Sequence, residues 1–264
     1  MFARPFMHPT HRSIDWRHTP AAIWRGRSQT LRPVPHPDPV RLDDLLGIAP
    51  QKAKLVQNTE RFLAGQPCNH VLLWGSRGTG KSSIVKALLN EYSPRGLRVI
   101  EVDKDDLHDL PDIVDDIRDR SQRFIIYCDD LSFEDGENQY KHLKSVLEGS
   151  LELPPENVRI YATSNRRHLL PEYMKDNEQT QVVNRELHHG DVVEEKISLS
   201  DRFGLGLSFY PINETQYFDI VDHLFGTVQD REQLHVRARR FSMEKGVRSG
   251  RTARQFYNQF VGEF

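Results

Sequence analysis

A glycine-rich loop constrains the fold of this chain more than any other feature of its sequence. Residues 75–82 fit the pattern of a glycine, any four residues, and then Gly-Lys-Ser. An apolar run of buried-strand type, residues 71–74, precedes the loop, and apolar residues at helical spacing follow it. Glycines let successive N–H groups turn toward one anion, and a following helix adds its positive N-terminal end. The order of strand, loop and helix therefore predicts a phosphate-binding loop rather than a plain glycine turn.

Each position of the loop has an expected role in binding a nucleoside triphosphate, which we expect to be ATP. The Lys81 ammonium should meet the β- and γ-phosphates, and the Ser82 hydroxyl should bind Mg²⁺. The rest of the predicted phosphate cradle is Gly75, Ser76, Arg77, Gly78, Thr79, Gly80 and Ser83.

Composition limits the class of protein. The 264 residues suffice for one large α/β domain, or for a core with a small second domain. A net charge of −2 gives no general attraction to nucleic acid or to a membrane surface. Cys68 and Cys128 flank or lie in apolar runs and are expected to be free thiols. With no apolar run near the ~18 residues of a membrane span and no signal peptide, we expect a cytoplasmic protein.

The first 40 residues are rich in arginine and proline and predict an N-terminal arm. Ile14, Trp16, Ile23 and Trp24 could anchor it on a neighbouring surface. The favoured interpretation is a strap on its own domain or a partly disordered arm. A partner-binding or nucleic-acid-binding arm, or a cleaved targeting peptide, remains open.

Residues 41–209 predict an α/β core, a parallel sheet sandwiched by helices. A helix is expected from Asp43 and Asp44 to Leu63, and the acidic stretch 103–119 carries one apolar helical face. Strands are expected at residues 71–74, 97–102, 124–128 and 158–162, alternating with helices. Residues 210–264 predict three helices of a small helical lid domain, with Ser249 as a helix N-cap.

Polar residues follow two of the predicted strands. Asp129 and Asp130 end the third strand, where Asp129 is expected to bind Mg²⁺ and Asp130 to polarise the attacking water. Glu134 is an alternative base. Asn165 ends the fourth strand and could hydrogen-bond the γ-phosphate or the water, or simply form a turn.

These pieces, taken in order, resemble an AAA+ ATPase over residues 41–264. The order is residues 42–47, the phosphate loop, Asp129-Asp130, the Thr-Ser-Asn of residues 163–165, residues 200–204, and a helical lid with arginines. Residues 102–107, 127–134 and 162–171 further resemble a bacterial family of AAA+-type ATP-binding proteins known only as a domain of unknown function.

The resemblance implies further roles. Arg202 would be the arginine finger that reaches a neighbouring subunit's site, which implies a homo-oligomer. A lid arginine would cover the phosphates; both Arg251 and Arg254 fit, and Arg251 is preferred at its helix N-terminus. The adenine would rest near residues 46–48 (Leu46, Gly47 and Ile48), against the lid.

The sequence also departs from the AAA+ pattern. Asp130 stands where many AAA+ ATPases have glutamate, which suggests slow hydrolysis. Residues 104–109 hold no aromatic residue to grip a polypeptide and are too acidic to follow a phosphate backbone. Between Asn165 and Arg202 lies a polar insertion, including residues 178–193, where a protein partner could bind.

Two functions from different classes follow. The first is an ATPase, with ATP and Mg²⁺, that drives a conformational cycle on an unknown partner. The second is a nucleotide-dependent binding or loading module with little turnover. Nucleic acid is a possible partner of this module, and no membrane partner is expected. A small-molecule kinase fits less well, because it does not explain Asn165, Arg202 and the lid together.

Overall fold

The computed structural model describes residues 14–133, 140–149, 153–167, 169 and 199–264. Its strands, in chain order, are β1 (Ala21–Arg25), β2 (Thr30–Pro33), β3 (Val71–Gly75), β4 (Leu97–Glu101), β5 (Arg123–Cys128), β6 (Val158–Ser164) and β7 (Leu205–Phe209). Its α-helices are α1 (Ala49–Leu63), α2 (Lys81–Tyr92), α3 (Leu110–Ile117), α4 (Tyr140–Glu148), α5 (Glu214–Phe225), α6 (Arg231–Glu244) and α7 (Gly250–Phe260). Within these residues, no helix is long and apolar enough to cross a bilayer.

The strands form one seven-stranded sheet in the order β2-β1-β4-β5-β6-β3-β7. Every neighbouring pair is parallel except β1 and β2. The strand before the phosphate loop, β3, lies between β6 and β7, and β5 lies on the far side of β6. The predicted α/β fold with a mostly parallel sheet is confirmed.

Two apolar layers cover the two faces of the sheet, because successive side chains of a buried strand point to opposite faces. One layer joins α3 and α4 to the sheet through residues such as Ile113, Ile117 and Leu143. The other joins α1 and α2 to it through residues such as Leu55 and Ile84. The apolar face predicted within the acidic stretch is the buried face of α3.

Residues 21–33 lie on the core, as the strap interpretation of the N-terminal arm expected, but they do so as part of the sheet. They form the β1–β2 hairpin, and β1 extends the sheet by pairing with β4, so the sheet does not begin at residue 41. Trp16 and Trp24 are each 5% exposed, and the Trp24 indole N–H donates to Asp109 at 2.8 Å. Burial of two indoles provides a large apolar area that holds this segment on the core. Residues 1–13 lie outside the described part of the chain.

One local prediction was wrong, and one strand was not predicted. The helix expected from Asp43 is divided into a short 3-10 helix, Leu42–Asp44, and α1, which begins at Ala49 after Gly47 with its φ of 76°. Strand β7 was missed, although Leu205, Leu207 and Phe209 alternate with Gly206 and Ser208 in the two-residue period of a strand. Both cysteines are free thiols, Cys128 buried and Cys68 half-buried.

The last three helices pack around an apolar core of their own. Residues of α5, α6 and α7 supply it, including Tyr217, Leu234 and Phe256, each fully buried. Ser249 caps α7 by accepting a hydrogen bond from the Thr252 N–H at 3.1 Å, as predicted. The helices thus form a compact unit that follows β7.

Candidate active site

The sheet topology brings the predicted site residues to one edge. The parallel strands β3, β5 and β6 are neighbours, so the segments after their carboxyl ends lie side by side. These segments are the phosphate loop, Asp129-Asp130 and Asn165. Their clustering follows from the order of the strands.

The loop is shaped by glycines in the left-handed region. Gly75, Gly78 and Gly80 have φ of 129°, 77° and 98°. A Cβ at Gly75 would lie 2.0 Å from the Phe209 carbonyl oxygen, so only glycine fits there. Gly80 leads directly into α2, whose first N–H groups have no partner within the helix. This is the geometry in which backbone N–H groups can face an anion.

Lys81 lies under the loop. Its Nζ donates to the carbonyl oxygens of Gly75 and Ser76 at 2.8 and 2.7 Å, and to the Asn165 Oδ1 at 3.4 Å. Burial lowers the pKa of Lys81, while Asp130 and Asp129 oppose that shift. The ammonium therefore bonds to the loop and to the amide that follows β6, and the two carboxylates that follow β5 act on it through their charge.

Asp129 is the centre of a hydroxyl cluster. Its Oδ1 accepts from the Ser82 Oγ at 2.8 Å, the Tyr127 OH at 2.7 Å and the Thr163 Oγ1 at 2.5 Å. Burial acts to raise the pKa of Asp129, but these donors outweigh it and leave the pKa below its usual value. An ionised carboxylate next to a hydroxyl is a set of hard oxygen donors that suits Mg²⁺.

Asp130 has an unusual backbone and several polar neighbours. Its φ of 50° lies in the left-handed region, which non-glycine residues seldom adopt and which is found at functional sites. The Asn165 amide donates to its Oδ1, and Arg77 lies 3.8 Å from its Oδ2 on the exposed side. Its N–H donates to the Thr163 Oγ1 at 2.9 Å. Asn165 therefore bridges Lys81 and Asp130, rather than forming only a turn.

The C-terminal helices meet the phosphate loop at the start of α7. A Cβ at Gly78 would lie 2.9 Å from the Ser249 Oγ and 3.4 Å from the Arg251 Cβ. The positive charge of Arg251 also contributes to the lowered pKa of Lys81, after burial. Arg254 instead lies over the Tyr257 ring, with its Cζ 5.7 Å from the ring centroid. The structure thus places Arg251 at the loop and Arg254 further along α7.

The predicted adenine site lies between the loop and these helices. A Cβ at Gly47 would be 3.6 Å from the Ile212 Cγ2 and 3.7 Å from the Gln216 Nε2. Ile48 is 5% exposed, and its Cδ1 lies 3.5 Å from the Cβ position of Gly80. Leu46 is half-buried beside them. Residues 46–48 thus connect the loop to α5.

Arg202 does not join this cluster. It precedes β7, whose first residue, Leu205, pairs with Val71 at the start of β3, whereas the loop follows the other end of β3. Five strand residues span about 16 Å. The Arg202 guanidinium forms an ion pair with Glu148 at the end of α4.

Sequence reasoning missed two hydroxyls of the site, those of Tyr127 and Thr163. The available signal was strand alternation: Tyr127 is two residues before Asp129, so both side chains project from the same side of the chain. Glu134 and residues 178–193, which were also singled out, lie outside the described residues.

The fold and the order of the site segments define this protein as an AAA+ module, a P-loop α/β core followed by a helical unit. The model of the family described as "Protein of unknown function (DUF815)" matches residues 17–264, and the chain belongs to that family. No curated protein matches its sequence.

A solved structure with a TM-score above 0.5 agrees on the fold. The ORC1 protein of Aeropyrum pernix, in complex with DNA, has a TM-score of 0.55 and 14% identity, covering 79% of this chain and 58% of that chain. The RuvB Holliday junction branch migration motor of Thermotoga maritima has a TM-score of 0.46 and 15% identity, covering 84% of this chain and 72% of that chain.

Proposed function

We propose that this chain binds Mg-ATP and hydrolyses it to ADP and phosphate, using the cycle to change the conformation of a partner. The observation that carries the proposal is the hydrogen-bonded network of Lys81, Asn165, Asp130, Asp129 and Ser82, in which Thr163 joins Asp130 to Asp129. This network places a cation, two carboxylates, an amide and a hydroxyl where three strands end. Two free cysteines fit a cytoplasmic setting.

In this proposal each side chain has one task. Lys81 and the loop N–H groups bind the β- and γ-phosphates, while Ser82 and Asp129 hold Mg²⁺, which would neutralise phosphate charge. Asp130 orients the attacking water, and Asn165 fixes Asp130. Residues 41–209 together with the β1–β2 hairpin act as the core, and residues 210–264 act as a lid that carries Arg251 to the phosphates.

We also propose that Arg202 acts on a neighbouring copy. Its position at the other end of β3 keeps it away from its own phosphate loop, so in this proposal its guanidinium leaves Glu148 and meets the phosphates of a second subunit. An arginine supplied in trans stabilises the charge that develops in phosphoryl transfer. A homo-oligomer follows from this assignment.

Lys81→Ala tests the proposal against Lys86→Ala, which changes an exposed lysine on the same helix that pairs with Asp38. Calorimetry with ATP and MgCl₂ should show binding for the unchanged chain and Lys86→Ala, and none for Lys81→Ala. Asp130→Asn should retain binding but lose phosphate release by about 100-fold or more. Binding that survives Lys81→Ala contradicts the proposal.

One observation favours the second function, a nucleotide-dependent binding module with little turnover. The Asp130 carboxylate already contacts Asn165 and Arg77, which leaves it less available to a water molecule. ATP binding without measurable phosphate release would support this function. The ORC1 structure, which is similar in fold, was solved in complex with DNA. The matching assay for a DNA partner is a gel shift of duplex DNA that requires ATP and weakens with added salt.

A further inference from the structure

Tyr127 is a polar side chain buried beside the site and has no role in the function proposed above. It lies on β5, is 4% exposed, and packs in the apolar layer that joins α1 and α2 to the sheet. Its hydroxyl donates to the Asp129 Oδ1 at 2.7 Å. A buried phenol needs a hydrogen-bond partner, and here the partner is the carboxylate expected to meet the metal.

The hydrogen bonds at Asp129 are concentrated on one oxygen. Ser82, Tyr127 and Thr163 all donate to Oδ1, and Oδ2 receives none of these three donors. Three donors from α2, β5 and β6 fix the plane of the carboxylate. The bond from the Ser82 Oγ to the Asp129 Oδ1 also fixes the position of the Ser82 hydroxyl relative to the carboxylate.

We propose that Tyr127 is a positioning residue that sets the affinity of this site for Mg²⁺. It holds the Asp129 carboxylate so that this group and the Ser82 Oγ meet one divalent cation together. The inference rests on the proposed function, since the cation is the one that accompanies the nucleotide. Hydrogen bonds to ligating carboxylates typically change metal affinity by about 10- to 100-fold when they are removed.

Tyr127 allows a cleaner test than Thr163. The Thr163 hydroxyl also accepts the Asp130 N–H at 2.9 Å, so changing it disturbs the residue proposed to orient water. Tyr127→Phe removes one hydroxyl and leaves the Thr163 contacts to Asp129 and Asp130 in place.

Tyr161→Phe is a matched control. Tyr161 is the register partner of Tyr127 on β6 and is fully buried. Its hydroxyl contacts Thr59 at 2.9 Å and Asn58 at 3.1 Å, not Asp129. Both variants therefore lose a buried phenolic hydroxyl from the centre of the same sheet.

The test titrates MgCl₂ into each full-length variant with a fluorescent ADP analogue, so that no turnover is needed. Tyr127→Phe should require about tenfold more Mg²⁺ for half-saturation. Its affinity for the analogue in EDTA should stay unchanged, and Tyr161→Phe should behave as the unchanged chain in both conditions.

The outcomes separate the two levels of the argument. If the unchanged chain titrates normally and Tyr127→Phe has the same half-saturation, or if Tyr161→Phe shifts equally, the role of Tyr127 is wrong and the proposed function stands. If the unchanged chain binds no analogue with or without Mg²⁺, the proposed function is wrong and this inference with it.

Discussion

The Ser249 hydroxyl lies directly against Gly78, where an added Cβ would approach it to 2.9 Å. Ser249 is the N-cap of α7, and Gly78 is the middle glycine of the phosphate loop. The loop and the C-terminal helices are thus in contact through two residues with no room between them. A movement of the loop toward Ser249 would therefore have to displace the start of α7.

Gly78→Ala should separate loop contact from backbone strain. Gly78 and Gly96 both have left-handed φ, 77° and 94°, but no atom of the described residues lies within 4 Å of a Cβ at Gly96. Backbone strain alone should therefore cost Gly96→Ala about 1–2 kcal/mol of unfolding free energy, measured in urea, and Gly78→Ala should cost more because Ser249 must also shift. Only Gly78→Ala should also weaken ATP binding, by about tenfold or more, because it pushes the loop away from Ser249.

The comparison with Gly96→Ala decides the interpretation. If neither variant loses affinity for ATP, the contact between Gly78 and Ser249 does not influence the nucleotide site. If both lose affinity equally, strain alone accounts for the loss.

Arg251→Ala and Arg254→Ala should differ in their effect on nucleotide binding. Arg251 lies at the loop and acts on Lys81, whereas Arg254 lies on Tyr257. Because a cation near the γ-phosphate favours ATP over ADP, Arg251→Ala should lower ATP affinity by about tenfold and ADP affinity less. Calorimetry with both nucleotides measures this. A larger ATP effect for Arg254→Ala would reverse the assignment of the lid arginine.

Arg202→Ala should abolish turnover without changing ATP affinity. An arginine supplied by a neighbouring subunit contributes about 10³-fold or more to the rate, so steady-state phosphate release should fall by that order. Arg240→Ala, which removes an exposed arginine paired with Glu244, is the control and should have normal activity.

Mixing Arg202→Ala with Asp130→Asn should restore activity, since each subunit supplies what the other lacks. Failure of that mixture, with each variant folded, contradicts a shared site.

The stability of the fold should depend on pH through His70, a residue outside the candidate active site. Burial, with a smaller contribution from Arg159, lowers its pKa from 6.5 to about 4. Its Nδ1 accepts the Ile160 N–H at 2.9 Å, which requires an unprotonated nitrogen. Between pH 6.5 and 4 the unfolded chain binds the proton and the folded chain does not, so this stabilisation is complete above pH 6.5 and is lost as the pH falls.

The expected loss from this histidine is about 2 kcal/mol between pH 7.5 and pH 5. His70→Asn keeps an acceptor near the Ile160 N–H but cannot titrate in this range. Its unfolding free energy, measured by urea denaturation, should therefore fall by about 2 kcal/mol less than that of the unchanged chain. Equal losses in both proteins would show that His70 is protonated in the fold.

Local pattern was sufficient where the physical cause is local. The strand that leads into the glycine loop, the helix that follows the loop, the apolar face of α3 and the Ser249 cap depend on residues a few positions apart, and each was predicted correctly. The hairpin at residues 21–33 was not predicted, because its short strands gain their stability from pairing with β4 and from burying Trp24.

The sequence by itself determined the phosphate loop, the order of the acidic and amide residues, and hence the AAA+ class. Tertiary structure decided which groups meet: Tyr127 and Thr163 at Asp129, Arg251 rather than Arg254 at the loop, and Arg202 away from it. The physical reason is that spacing along the chain fixes the face of a strand or helix, whereas contacts between elements depend on sheet order and packing. Neither of these can be obtained from local periodicity.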